Sequence, residues 1–275
     1  MFEKYRVRIE SEIRNTVAQM GEKTRLRDAC EYALTNGGKR LRPLFVLMIA
    51  EALGRGLDAM PAALSVEFFH TASLIADDLP CMDNDDERRA RPSLHKAFKE
   101  GIALLASYTF IAMGYEGIYK NGLGRPPEAT ILSLEIATRC AGIFGATNGQ
   151  FLDLFPPDQS LETIQKIMTQ KTVTLFQISF AFGWLFGGGD PARLKEVEAC
   201  AHHLGMAFQI GDDLNDEGQD AGINMAGVLG REKTFVLFER EMESFVTGLK
   251  SLNLWNIEFE KAADYLYGLP AAQKN

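Results

Sequence analysis

Two clusters of acidic residues, each arriving straight after an apolar run, constrain this chain more than any other feature. The first is Asp77-Asp78-Leu79-Pro80-Cys81-Met82-Asp83-Asn84-Asp85-Asp86-Glu87, followed at once by Arg88-Arg89. The second is Asp212-Asp213-Leu214-Asn215-Asp216-Glu217. Carboxylates gathered this densely repel one another, so a fold keeps two such groups near its interior only where cations neutralise them. Hard divalent cations such as Mg²⁺ take oxygen ligands and commonly share them with substrate phosphates. A metal-bridged diphosphate site is the expectation against which the rest of the chain is read.

The pattern around the clusters is helical. Phe2, Tyr5, Ile9, Ile13, Val17 and Met20 form one apolar stripe at helical spacing. Further helices are expected near 25–35, 43–54, 60–78, 93–99, 101–121, 127–144, 160–186, 191–217, 225–250 and 256–267. The breaks between them carry turn chemistry, as in Asn36-Gly37-Gly38 and Phe155-Pro156-Pro157. Neither strand–helix alternation nor an internal repeat is visible. The expectation is one all-α domain over residues 1–275, a length that can bury a substantial core.

Composition narrows the function classes. A hydrophobic fraction of 46% and a charged fraction of 24% are ordinary for a soluble globular protein. A net charge of −8 argues against a nucleic-acid partner. Cys30, Cys81, Cys140 and Cys200 are far apart and read as free thiols of a reducing compartment. The charged N-terminus is unlike a signal peptide, and the apolar stretch from Phe176 to Gly189 falls short of a membrane span. A cytoplasmic protein without stable membrane insertion is expected.

Basic groups supply the counterpart to the acids. In Asn36-Gly37-Gly38-Lys39-Arg40-Leu41-Arg42-Pro43, Pro43 suits a first helical turn. Lys39, Arg40 and Arg42 then sit where free amides and the helix dipole favour an anion. By itself such a segment is more often a solvated cap, and the acid clusters are what ask for a phosphate here. His70 lies seven residues before Asp77, nearly on the same helix face. Asp83 is six residues beyond Asp77 and would point elsewhere on a regular helix. Pro80 ends the helix and lets Asp83 come round. Arg88 and Arg89 offer planar forks suited to phosphate oxygens. Asp212 and Asp216 share one helix face at i and i+4, with Asp213 flanking and Gln209 one turn earlier. Between the clusters, Gly149-Gln150-Phe151-Leu152-Asp153 and Lys171-Thr172 place polar groups on apolar helices. Lys171 reads either as a diphosphate contact or as a lysine snorkelling from a core helix.

These pieces, in this order, resemble the trans-polyprenyl diphosphate synthase family from about residue 36 to residue 234. The matching motifs are Gly37–Pro43, Asp77–Asp83 with Arg88-Arg89, Gly149–Asp153, Lys171-Thr172 and Phe208–Asp216. The resemblance implies an isoprenoid-synthase helical bundle around a deep central cavity, in a homodimer. It also implies condensation of isopentenyl diphosphate with an allylic diphosphate (dimethylallyl, geranyl or farnesyl). Asp77, Asp78, Asp83, Asp212 and Asp216 would hold Mg²⁺ ions on the allylic diphosphate. Arg88, Lys171, Thr172 and Gln209 would contact that group, and Lys39, Arg42, His70 and Arg89 would bind isopentenyl diphosphate. Asp77, Asp78, Asp83, Arg88, Lys171 and Asp212 are the expected catalytic set. Two positions depart from the family pattern. Ala76 stands where relatives commonly have His, and the usual lysine is missing from Asp220-Ala221-Gly222-Ile223-Asn224.

Product length is read from the helix that ends at Asp77. Ala72 and Ser73 leave its last turns open, and Phe69 lies eight residues back, roughly 12 Å along the axis. This favours a C20 over a C15 product, with Phe69 as the floor. Competing readings are a catalytically silent subunit, a terpene cyclase or head-to-head synthase, and a divalent-metal binder without catalysis. The basic segments at 37–43 and 88–89 favour an enzyme that holds a second, homoallylic diphosphate.

Overall fold

The computed structural model describes residues 2–215 and 224–271. Its helices are α1 (Glu3–Ala18), α2 (Arg25–Leu34), α3 (Leu41–Ala52), α4 (Met60–Asp77), α5 (Leu94–Phe98), α6 (Glu100–Gly122) and α7 (Pro127–Ala141). They continue with α8 (Ala146–Leu154), α9 (Leu161–Ile167), a π-helical segment (Met168–Val173), α10 (Thr174–Phe186), α11 (Leu194–Asn215), α12 (Met225–Leu229), α13 (Arg231–Ser251) and α14 (Ile257–Tyr267). Among the described residues the one ladder is a two-residue antiparallel pair, β1 (Glu87–Arg88) with β2 (Arg91–Pro92). The expected all-α fold is what forms.

The core is built on α10. Every residue of that helix but Gln177 is buried, and it packs against α3, α4, α7 and α11. A helix apolar on nearly all sides has little solvent face to show, which is why Phe176–Phe186 is apolar but for Gln177, Ser179 and Gly183. In α3 all residues from Pro43 to Ala50 are buried as well. Phe45 meets Phe176, Phe180 and Phe259 at ring separations of 6.2, 5.5 and 6.4 Å. Each fully buried Phe contributes about 1.5–3 kcal/mol by removing apolar surface from water.

The pairing of α4 with α6 shapes the site. A side chain at Gly117 would come within 2.7 Å of the Pro61 carbonyl, and one at Gly114 would collide with the Phe69 ring. Small residues at these points let the two helices approach closely. Hydrogen bonds from Ser65 Oγ to the Gly114 carbonyl (2.5 Å) and from Ser107 Oγ to the Ala72 carbonyl (3.0 Å) pin the contact.

Several boundaries differ from the sequence expectation. The helix expected over 127–144 stops at Ala141 and resumes as α8 at Ala146. A side chain at Gly145 would overlap the Cys140 carbonyl, so this turn is closed to other residues. The helix expected over 225–250 breaks at Gly230, whose φ of 80° is the left-handed backbone that glycine takes at least cost. The stretch 160–186 is continuous, but it passes through the π segment. Asp216 and the positions 220–223 lie outside the described residues.

Arg40 also departs from expectation. The sequence puts it with Lys39 and Arg42 at a helix start that favours an anion, yet its side chain is buried. Arg40 Nη1 donates to Glu67 at 2.5 Å, Nε to Glu10 at 2.8 Å and Nη2 to the Leu34 carbonyl at 2.5 Å. Burial works against its charge, but Glu67 and Glu10 outweigh that and hold its pKa above the ordinary arginine value. Arg40 is a structural tie between α1, α3 and α4.

The sequence reading looked to Phe176–Gly189 for the most membrane-like stretch. In the structure Glu100–Gly122 and Pro127–Leu154 are the stretches long and apolar enough to cross a bilayer, with 39% and 33% of each window buried in the chain. Much apolar surface of α6 and α7 therefore faces outward, including Leu105, Tyr108, Ile131 and Leu134.

Candidate active site

The π segment connects the two acidic clusters. A π turn adds a residue to the helical circuit and is frequent at functional sites. Here it turns successive side chains to opposite partners. Lys171 Nζ meets Asp153 of α8 and acts electrostatically on Asp77 at the end of α4. Thr172 Oγ1 donates to Gln209 Oε1 of α11 at 2.9 Å, and Gln209 Nε2 donates to Asp213 at 3.0 Å. Two glycines let the flanking helices press on the segment. A side chain at Gly149 would overlap the Lys171 backbone, and one at Gly205 would come within 2.8 Å of Val173 Cα.

The first cluster takes the shape that Pro80 dictates. Helix α4 ends at Asp77, because the residue preceding a proline is pushed out of helical conformation. The chain turns back so that the Asp83 amide donates to the Asp77 carbonyl at 2.9 Å. Asp83 thus comes round to Asp77 as expected, and Gln150 Nε2 of α8 donates to its carboxylate at 3.2 Å. Burial pushes the Asp77 carboxyl up to about 7, with Lys171 opposing and Asp83 adding to the rise.

Asp78 does not stand with Asp77 and Asp83. It is buried, and Arg88 clasps it through Nε (2.7 and 2.9 Å to its two oxygens) and Nη2 (2.5 Å). Asp78, expected among the metal ligands, here holds Arg88 in place with its oxygens. Helix geometry separates it from Asp77, since neighbouring residues on a helix end point about 100° apart.

The basic group gathers on the other side of α4. Arg42 Nη1 donates to His70 Nε2 at 3.2 Å, and its guanidinium lies 4.8 Å from the Phe176 ring centre. Because arginine can only donate, His70 Nε2 must be unprotonated, so the neutral ring carries its proton on Nδ1. That Nδ1 and Arg42 Nε are buried without a protein partner, and both are donors. Burial, helped by Arg89, lowers the Arg42 pKa to about 10, while Glu67 and Asp212 oppose the fall. Arg89 donates to the Gly37 carbonyl, and a side chain at Gly38 would come within 2.7 Å of its guanidinium. Lys39 lies 5.9 Å from the Phe208 ring centre. Arg42, His70 and Arg89 are therefore brought together, while Lys39 precedes Arg42 at the same helix start.

Below Asp77 lies a cavity of about 550 Å³, lined along α4 by Phe69, Ala72, Ser73, Ala76 and Asp77. Helix α6 adds Ser107, Ile111 and Tyr115, α8 adds Gln150, Phe151 and Leu154, and Lys171 stands at the mouth with Asp77. Tyr115 meets Phe69 edge to face at 5.2 Å. Sequence reading named Phe69, Ala72 and Ser73 but missed Tyr115 and Ile111, which come from a helix without any polar motif. It also left Gln150 and Asp153 without a role, although the Gly149–Asp153 motif was the signal that marked them.

Comparison with known proteins agrees with this geometry. Residues 23–223 match the family model for polyprenyl synthetase. The chain belongs to the polyprenyl synthetase family. It is 36% identical over 220 residues to a farnesyl diphosphate synthase of Geobacillus stearothermophilus, an alignment covering 78% of this chain and 74% of that one. It is 37% identical over 195 residues to a chloroplastic geranylgeranyl pyrophosphate synthase of Capsicum annuum, covering 70% of this chain and 53% of that protein. The chain thus spans about half the length of this plant relative. Among solved structures it resembles an FPP/GFPP synthase from Zymomonas mobilis with a TM-score of 0.86 and 29% identity, over 96% of this chain and 98% of the other.

Proposed function

We propose that this chain is a short-chain trans-prenyltransferase. It joins isopentenyl diphosphate to an allylic diphosphate (dimethylallyl, geranyl or farnesyl), giving geranylgeranyl and/or farnesyl diphosphate and pyrophosphate. One observation carries the reading: an apolar cavity of about 550 Å³ opens directly beneath Asp77 and Lys171. That is the arrangement a greasy tail with a charged head requires. Relatives named for farnesyl and geranylgeranyl diphosphate synthesis support it.

The donor set fits Mg²⁺. Asp77 and Asp83 offer hard oxygens close together, and burial, which raises the Asp77 carboxyl to about 7, disfavours its charge in the way that a bound cation would offset. Among the described residues no three acidic, His or Cys side chains could hold a metal ion by themselves. Asp77, Asp83 and Asp212 would hold the ions, together with Asp216, which lies outside the described residues. When bound, Mg²⁺ neutralises charge on the departing pyrophosphate.

The chain's own residues do the rest. Lys171 and Arg88 place cations where negative charge grows as the allylic C–O bond breaks, and electrostatic stabilisation of this kind is usually the largest catalytic contribution. Thr172 and Gln209 hold the π segment against α11 and so fix Lys171. Lys39, Arg42, His70 and Arg89 bind isopentenyl diphosphate, their N–H groups donating to its phosphate oxygens. The isopentenyl double bond attacks the allylic C1, and the proton then lost passes to pyrophosphate, so no side-chain base is required. The cavity wall keeps water from the cation. Phe69 and Tyr115 close the cavity at a depth that favours the C20 product.

The catalytic unit is residues 1–275, working in the cytoplasm as a homodimer. The outward apolar residues of α6 and α7 are the surface that a second copy would cover. Calorimetric titration with geranyl diphosphate tests the site itself. Binding should require Mg²⁺ and weaken at least tenfold in Asp77→Ala; equal binding without Mg²⁺ would sink the reading.

A further inference from the structure

The Arg88–Arg91 turn is held in a backbone that its own residues disfavour. β1 and β2 pair Arg88 with Arg91, leaving Arg89 and Ala90 as a two-residue loop. Both have positive φ, 56° and 58°, the mark of a type I′ turn, which normally calls for Asn-Gly or similar residues. Arginine and alanine adopt this conformation at a cost, so something outside the turn must stabilise it.

Helix α2 and the loop after it supply that support. Asn36 Nδ2 donates to the Arg88 carbonyl at 3.0 Å, and the Tyr32 hydroxyl donates to the Pro92 carbonyl at 2.8 Å. The Arg91 guanidinium lies 4.0 Å from the Tyr32 ring centre, within the range of a cation–π contact. One clamp therefore grips each strand of the hairpin, just outside the strained pair. With the turn so fixed, Arg88 reaches Asp78 and Arg89 reaches the Gly37 carbonyl.

We propose that Tyr32 and Asn36 are positioning residues for the arginine pair: they hold the 88–91 turn in its left-handed form, so that Arg88 and Arg89 face the diphosphates. The functional part rests on the prenyltransferase reading above; the conformational part does not. Two readouts keep them apart. The first is native-state trypsin cleavage after Arg88 and Arg89, which reports opening of the turn without any substrate; the Arg91–Pro92 bond resists trypsin in either state. The second is KM for isopentenyl diphosphate against kcat.

Asn36→Ala and Tyr32→Phe each remove one hydrogen bond to the turn. Each should speed cleavage there about fivefold, the factor one ordinary hydrogen bond produces. Each should also raise KM for isopentenyl diphosphate by a similar factor, with a smaller change in kcat. Adding Ala90→Gly, which takes the left-handed backbone without strain, should restore protection and KM in both. Unchanged cleavage in both single variants, or no rescue by Ala90→Gly, would overturn the proposal. Normal rescue of cleavage in a protein that condenses no substrate would instead overturn the prenyltransferase reading, leaving the clamp standing.

Discussion

At the scale of single residues, charge placement decides most of what this chain does. Arg40 and Glu67 form a buried pair, and removing Glu67 takes away one of the two carboxylates, Glu10 being the other, that neutralise the buried guanidinium. Glu67→Ala should therefore lower stability by about 3–5 kcal/mol, read as the loss in unfolding free energy by denaturant titration. His70 gives the fold a pH dependence. Burial, with Arg42, Arg89, Arg88 and Arg40 around it, holds its pKa well below the ordinary value of 6.5. Below pH 6.5 the unfolded chain takes up a proton that the folded chain refuses. From this residue, stability falls as pH drops from 6.5 towards 5, by up to about 1.4 kcal/mol per unit; the raised Asp77 carboxyl contributes with the opposite sign over the same range. His70→Gln should remove the falling contribution, so that the variant gains stability relative to the unaltered chain as pH drops; an identical pH dependence in both would show that His70 does not carry it. Asp77→Ala should cut kcat by at least about 10²-fold, in line with losing one strong electrostatic stabiliser, and a near-normal rate would remove Asp77 from the site.

At the scale of elements, the helices set distances that no motif encodes. A side chain at Gly149 would overlap the Lys171 backbone, so Gly149→Ala should displace the π segment. Its kcat should fall more than its affinity for isopentenyl diphosphate, whose site lies with α3 and α4. Phe69→Ala should open the floor between α4 and α6 and lengthen the product, seen by chromatography of the dephosphorylated prenyl alcohols; an unchanged profile would reject Phe69 as the floor. Much of this level was legible in sequence. The helical period, the break at Pro80 and the return of Asp83 to Asp77 all follow from local chemistry. The burial of Arg40, the commitment of Asp78 to Arg88 and the part of Tyr115 were not legible. Each depends on which neighbour a side chain meets across another helix, and spacing along one helix carries no such information. The π segment was hidden for the same reason: its sequence reads as ordinary helix, and only packing against Gly149 and Gly205 explains its place.

At the scale of the whole molecule, the fold places an apolar cavity beneath a charged mouth and leaves an apolar flank outside. If a second copy covers that flank, Leu105→Glu with Ile131→Glu should give a monomer by light scattering, where the unaltered chain gives a dimer. The central claim is that the charged mouth ionises one diphosphate while the basic group beside α4 presents another. The most direct test incubates the purified chain with labelled isopentenyl diphosphate, Mg²⁺ and each of dimethylallyl, geranyl and farnesyl diphosphate, then sizes the dephosphorylated products. Mg²⁺-dependent chain growth that stops at C15 to C20 is the expected result. No condensation with any of the three primers would contradict it.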